Sequence, residues 1–205
     1  MGSATGGEPR PWTRAVIIGA GAVVLSGAAI GGGLWFAGDD PDEPHGGDVH
    51  TAAPACGEVP EEAIAEAVPE AALESTGNGP LAGGENTACV WTSAGQDDGV
   101  QGVLRVDLSA RFTDPSAEPA VTGDASAAEA RGAVVPPRGE PVDPDAGIDG
   151  EVWRGQVPGA AELAFHTDNL VVRVSYSGVS GGDPVPFEEA RDTTVAFAGR
   201  LGEAL

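Results

Sequence analysis

The chain has 205 residues, with 32 acidic side chains, ten arginines and no lysine, for a formal charge of −22. Without lysine, a phosphate-binding loop, Schiff-base catalysis and a Ser-Lys dyad are all excluded. The acidity excludes a nucleic-acid binder, because phosphates brought to such a surface add like charge instead of releasing counterions.

The charge is unevenly placed. Residues 1–37 hold Glu8, Arg10 and Arg14, so the remainder sets eight arginines against 31 acids, a balance of −23. Residues 1–14 form a tail too short to fold as a domain. The stretch "AVIIGAGAVVLSGAAIGGGLWFAGDD" begins like a dinucleotide-binding turn, with Gly19 and Gly21, but Val24 stands where the third glycine is needed. Between Ala15 and Gly38 there is no charged residue. A run of this length spans roughly 36 Å as a helix, enough for a hydrocarbon core of about 30 Å. A transmembrane helix is therefore predicted over 15–37. The arginines before it and Asp39, Asp40, Asp42 and Glu43 after it place the N-terminus in the cytoplasm and the C-terminal part outside. Cleavage as a signal peptide, releasing a secreted protein, is the alternative. Against it stand the length of the run and bulky Trp35 two residues before Ala37, where a small residue belongs. Gly27 and Gly31 form a small-xxx-small pair suited to helix contact, and so to a helix-mediated homo-oligomer.

Residues 38–55 have almost no large apolar side chains and read as a flexible acidic linker, since they cannot offset the entropy of ordering. From Cys56 onward about 150 residues remain, the size of one domain with a real core. Cys56 and Cys89 are the only cysteines. Lying outside the membrane, and not spaced as a CxxC motif, they are expected to form a structural disulfide rather than a redox or zinc site.

Between them, "PEEAIAEAV" predicts a short helix from Pro60 to Val68, with acids at its positive end and Pro69 to stop it. "GPLAGGENTA" reads as loop and "CVWTS" as strand. In "VLRVDLSARF", Leu104, Val106, Leu108, Ala110 and Phe112 alternate with polar residues, the period of a half-buried strand. "DASAAEARGAVV" predicts a second helix capped by Asp124, and the proline-rich "PPRGEPVDPDAG" a loop. "EVWRGQV", "AELAFH" and "NLVVRVSYS" form a three-strand meander with a turn at "TDN", and Val172, Val174 and Tyr176 share a face. Phe187, Ala190, Thr194, Phe197 and Leu201 recur at helical spacing, predicting an amphipathic helix laid on the sheet. The fold class is α+β: a mainly antiparallel sheet of about five strands with two to three helices.

The segments "ACGEVPEEAIAEAVPE", "GENTACVWTS", "GIDGEVWRG" and "AELAFHTDNLVVRVSYSG", followed by an Ala-rich helix, resemble a family of actinobacterial secreted or lipoprotein-type cell-envelope domains of unknown function. The resemblance runs from Cys56 to Leu205 and is strongest in the cysteine pair and in Trp91, two residues after Cys89. Gly57 and Val59 depart from it, standing where members often carry leucine, and a span replaces the lipid-modified cysteine. It implies an envelope location and no assigned chemistry.

No catalytic constellation accompanies this framework. His166 is the one histidine within the domain, beside a turn, without a GxSxG elbow or a cysteine nucleophile. "DTT" at Asp192 to Thr194 lies in a predicted helix and is not an aspartic-protease motif. Neither metal nor cofactor is expected. His45, Asp48 and His50 sit on the linker, where binding would have to order the chain. Asp143, Asp145, Asp149 and Glu151 only echo a calcium loop, with Pro144 stiffening it and the turn glycine misplaced. Trp91 and Trp153 suit either core packing or a ligand cleft. The expected function is a non-catalytic binding or interaction module of the envelope, taking a protein, peptide or ligand. The alternatives are an envelope hydrolase with two carboxylates about 5 to 10 Å apart, or a carrier of apolar ligands.

Overall fold

The protein is described by a computed structural model that covers residues 41–93, 100–142 and 149–205. After a 3-10 turn at Cys56–Glu58 come α1 (Glu61–Ala67), β1 (Ala72–Leu81), β2 (Gly84–Thr92), β3 (Val100–Arg111), α2 (Gly123–Val134), β4 (Glu140–Val142), β5 (Gly150–Arg154), β6 (Ala160–Thr167), β7 (Leu170–Ser180), β8 (Asp183–Pro184) and α3 (Phe187–Ala204). The α+β class and antiparallel sheet are as expected, but the sheet has eight strands rather than about five, ordered β1-β2-β3-β7-β6-β5-β4 with β8 beside β7. Two meanders, β1–β3 and β4–β7, meet where the long strands β3 and β7 pair from Val100↔Ser180 to Ala110↔Leu170.

The additional strands lie where Gly and Pro suggested loops. "GPLAGGENTA", read as loop, supplies the end of β1 (79–81) and the start of β2 (84–88); Ala82 and Gly83 make a two-residue turn in which Gly83 has φ 68°, a backbone that favours glycine. Once β2 is anchored beside β3, it offers a full ladder of backbone partners, and this outweighs the weak strand propensity of β1. Gly84 is required for a different reason: a Cβ there would lie 2.1 Å from the Ala110 carbonyl oxygen on β3. β4 likewise falls inside the proline-rich segment and pairs with β5 at the opposite edge.

Alternation decides the faces. Leu104, Val106, Leu108 and Ala110 of β3 and Leu170, Val172, Val174 and Tyr176 of β7 point to one side, where Leu163 and Phe165 of β6 join them. α1 and α3 cover this face and touch one another. The predicted stripe of α3 is the one used: Ala190, Thr194, Phe197 and Leu201 are buried, and the Thr194 hydroxyl donates to the Ala190 carbonyl at 2.7 Å, so burial leaves it satisfied. Each large side chain sealed here contributes roughly 1.5–3 kcal/mol relative to exposure.

α2 packs on the other face, against β3, β6 and β7. Its buried Ala127 lies outside the main core, and it reaches outward-facing residues of β5 and β6 through Arg131 to Glu151 and Asp124 to His166. The N-cap is Thr122, whose hydroxyl oxygen accepts from the Ala125 N–H at 3.2 Å, and not Asp124. Thr122 has the extended backbone an N-cap needs, whereas Asp124 is already within the first helical turn.

Residues 41–55, expected as part of a flexible linker, are a strap hydrogen-bonded along the domain. The Gly83 N–H donates to Asp42 Oδ1 at 2.6 Å, the His50 N–H to Asn169 Oδ1 at 2.8 Å, and the Ala53 N–H to Glu85 Oε2 at 3.2 Å. Asn169 returns its Nδ2–H to the carbonyls of His50 and Arg111, both at 2.8 Å, and is itself 2% exposed. The segment lacks apolar bulk, but it is ordered by polar side chains matched to its backbone groups, which composition cannot reveal.

Candidate binding surface

The disulfide between Cys56 and Cys89 is present, with Cα atoms 5.7 Å apart, and ties the start of the domain to the middle of β2. The span over 15–37, with Gly27 and Gly31, lies outside the described residues. Among the described residues no helix is long and apolar enough to cross a membrane.

The residues weighed for chemistry are dispersed. Asp48 serves the strap: its carboxylate accepts from the Thr113 N–H at 3.1 Å, the Thr113 hydroxyl at 2.7 Å and the His45 N–H at 2.9 Å. Burial pushes its pKa upward, but the hydrogen bonds from His45 and Thr113 outweigh that and hold it below the usual carboxylate value. Asp143 and Asp145 lie outside the described residues. Glu151 pairs with Arg131, and the Asp149 carbonyl accepts from the same arginine at 3.4 Å. Among the described residues no three potential ligands gather in a metal-binding group. His166 stands with Nε2 4.0 Å from Asp124, and its Nδ1 is buried without a hydrogen-bond partner. Asp192, Thr193 and Thr194 are all within α3.

Trp91 and Trp153 are both 5% exposed, but they lie on opposite faces of the sheet and line no common cleft. Trp91 stands in the core-side row with Leu104 and Tyr176. Trp153 stands in the outward row with Glu162 and Ser175. Tyr176 is held above the usual phenol pKa, first by burial and then by the charge of Glu189.

The β1 wing is uncovered. β1 is an edge strand with eight exposed residues and two half-buried ones, and it makes no substantial contact with any described element except β2. Its outward row continues across the sheet as Ser75, Val90, Arg105 and Ser175, and the next as Gly77, Ala88, Asp107 and Arg173. Arg105 holds Asp107 with two hydrogen bonds, at 2.8 and 2.6 Å, and Arg173 pairs with Glu162. Asp107, by this hydrogen bond, also keeps the Arg105 guanidinium above its ordinary pKa despite partial burial. At the end of this face Val103 and Val179 are 41% and 39% exposed. The surface combines small side chains, paired charges, an apolar margin and a free strand edge. Sequence reasoning missed it because residues 72–78 show no strand period and 79–81 read as loop; the signal present was the two-residue Ala82-Gly83 turn ahead of an alternating β2.

Comparison with protein-family models, with curated proteins and with solved structures finds no match.

Proposed function

We propose that the chain is a membrane-anchored, extracytoplasmic binding module without catalytic chemistry, which takes an extended segment of a partner protein as an added strand along β1. The observation that carries this reading is the ten-residue edge strand, bare on both faces and carrying a single charge, Glu74. Such an edge is a template for pairing unless blocked, and natural proteins block edges with charges, bulges and proline. Here the register slips between Leu73 and Ser75, and Pro80 lies near the far end, so the unblocked part is Ser75 to Gly79. A partner strand would gain main-chain hydrogen bonds there, and side-chain contacts on the outward face beside Ala88 and Val90.

The anchor rests on the apolar run of residues 15–37, and the Cys56–Cys89 disulfide suits the oxidising exterior that the anchor implies. The non-catalytic reading is supported by the use of Glu151 and Glu162, which are each neutralised by an arginine instead of facing one another across a cleft. The carrier alternative draws no support from the face under α1 and α3, where Phe165, Phe197, Leu163 and Leu201 are fully buried against each other's elements.

Proline scanning tests the edge. Along an antiparallel edge strand, N–H groups alternate between the neighbouring strand and the open side. Of Gly77→Pro and Asn78→Pro, one therefore removes an outward donor and the other breaks the β1–β2 ladder. A photocrosslinker at Thr76 of the full chain in its native membrane is expected to give one discrete adduct with a second protein. The outward-donor proline should abolish it with the melting temperature unchanged. An equal adduct from Arg191 on α3, or an adduct insensitive to both prolines, refutes strand addition.

A further inference from the structure

Arg111, the last residue of β3, is fixed through its backbone: its N–H donates to the Asn169 carbonyl at 2.7 Å and its own carbonyl accepts from Asn169 Nδ2 at 2.8 Å. Arg111 is half-buried and lines a surface pocket of about 500 Å³ between the strap, the β1–β2 turn and the start of α2, lined also by Asp42, Gly83, Asp114 and Ser126. The volume is in the range of small-molecule sites. Within the pocket the guanidinium makes one long hydrogen bond, Nε to Ser126 Oγ at 3.5 Å.

Most other described arginines behave differently; exposed Arg138, which reaches only the Arg154 carbonyl at 3.5 Å, stands in solvent. Arg105, Arg131, Arg173, Arg191 and Arg200 each hold a carboxylate, and Arg154 lies over the Phe187 ring at 4.1 Å. In a chain with 32 acids, a half-buried arginine that pairs with no carboxylate among the described residues forgoes its strongest available interaction. An arginine lining a pocket in this way can present its planar fork of N–H donors to a carboxylate. A ligand carrying only negative charge would be repelled by a chain of −22 and by Asp114 in the same pocket. A ligand that brings an ammonium group with its carboxylate meets both signs.

We propose that this pocket binds a small zwitterion of the amino-acid or dipeptide type, with Arg111 holding its carboxylate and Asp114 facing its ammonium group. The Asp114 carboxylate is anchored for that role, since its Oδ1 accepts from the Ser116 hydroxyl at 2.6 Å and the Ser116 N–H at 2.9 Å. This site is separate from the β1 edge, so its test does not depend on strand addition.

The full chain in detergent is titrated calorimetrically with glycylglycine, free glycine, acetate and methylamine. Binding of glycylglycine or glycine at millimolar concentration is expected, with acetate and methylamine about ten-fold weaker or more, since each lacks one of the two charges. Arg111→Gln should weaken the zwitterion by about ten-fold or more. Asp114→Asn should weaken the zwitterion while leaving acetate no weaker. Thermal melts check that each variant is folded, and Arg111→Lys, which keeps the charge and loses the fork, covers the case in which Arg111→Gln is not. Absence of zwitterion binding in the wild type overturns the proposal, as does an affinity unchanged in both Arg111 variants, or acetate binding as tightly as glycylglycine.

Discussion

β6 and β1 belong to one sheet, yet β6 is buried through six consecutive residues from Ala160 to Phe165 while β1 leaves eight of its ten exposed. The difference lies in what covers them. β6 has α3 on one face and α2 on the other, whereas β1 has only β2 at its side. The covered half reads in sequence as apolar and periodic, because each outward or inward position meets a neighbour. The bare wing reads as turn residues, because nothing requires its side chains to be apolar. Strand identity in the wing is carried by backbone pairing, and stability and binding are therefore expected to separate between the two halves.

Substitutions sharpen this contrast in order of size. Phe197→Ala, in the covered half, is expected to cost about 3–5 kcal/mol, read as a shifted denaturant midpoint at constant slope. A loss under about 1 kcal/mol there would show that α3 does not seal the sheet. Removing the disulfide by Cys56→Ser/Cys89→Ser should cost about 2–4 kcal/mol, since the bond closes a 33-residue separation and is the one covalent tie between β2 and the segment before α1. An unreduced mass two daltons below the reduced one, about the loss of two hydrogens, checks the bond itself.

Asp48→Ala strips the strap of its acceptor for Thr113 and is expected to cost about 1–2 kcal/mol, with faster amide exchange at His50 and Ala53. The same carboxylate makes stability depend on pH. Its folded pKa is depressed, so its contribution is fully present above the unfolded carboxylate value and is lost as pH falls through the lower folded value. Stability measured from neutral pH down into the acid range should fall less steeply in Asp48→Asn than in the wild type, and identical slopes would remove Asp48 from the account. The smallest effect is Leu73→Ala on the wing, within about 0.5 kcal/mol, because Leu73 is 48% exposed. A large loss there would mean that the wing is covered after all.

Much of the covered half was legible because its signals are local. Alternation at Leu104 to Phe112 and at Val172 to Tyr176, the Asp168 turn with φ 48°, and the stripe from Ala190 to Leu201 each follow from a period or a turn chemistry that a short window contains. The Arg111 pocket was not legible, since it is lined by residues from Pro41 to Ser126 that come together only when the strap, the β1–β2 turn and α2 are in place. Nor was the outward face, because the partner of Asp107 across the sheet is Arg173, 66 positions away.

By itself the sequence determined the acidic charge, the absence of lysine chemistry, the cysteine pair, the α+β class and the apolar periods of α3, β3 and β7. These depend on composition and on neighbours a few residues apart. Tertiary structure alone decided that a Gly- and Pro-rich segment becomes β1, that a polar linker becomes a strap, and that Trp91 and Trp153 face opposite ways. In each case the deciding partner is distant along the chain, and a backbone group takes whichever hydrogen-bonding partner the rest of the fold brings to it.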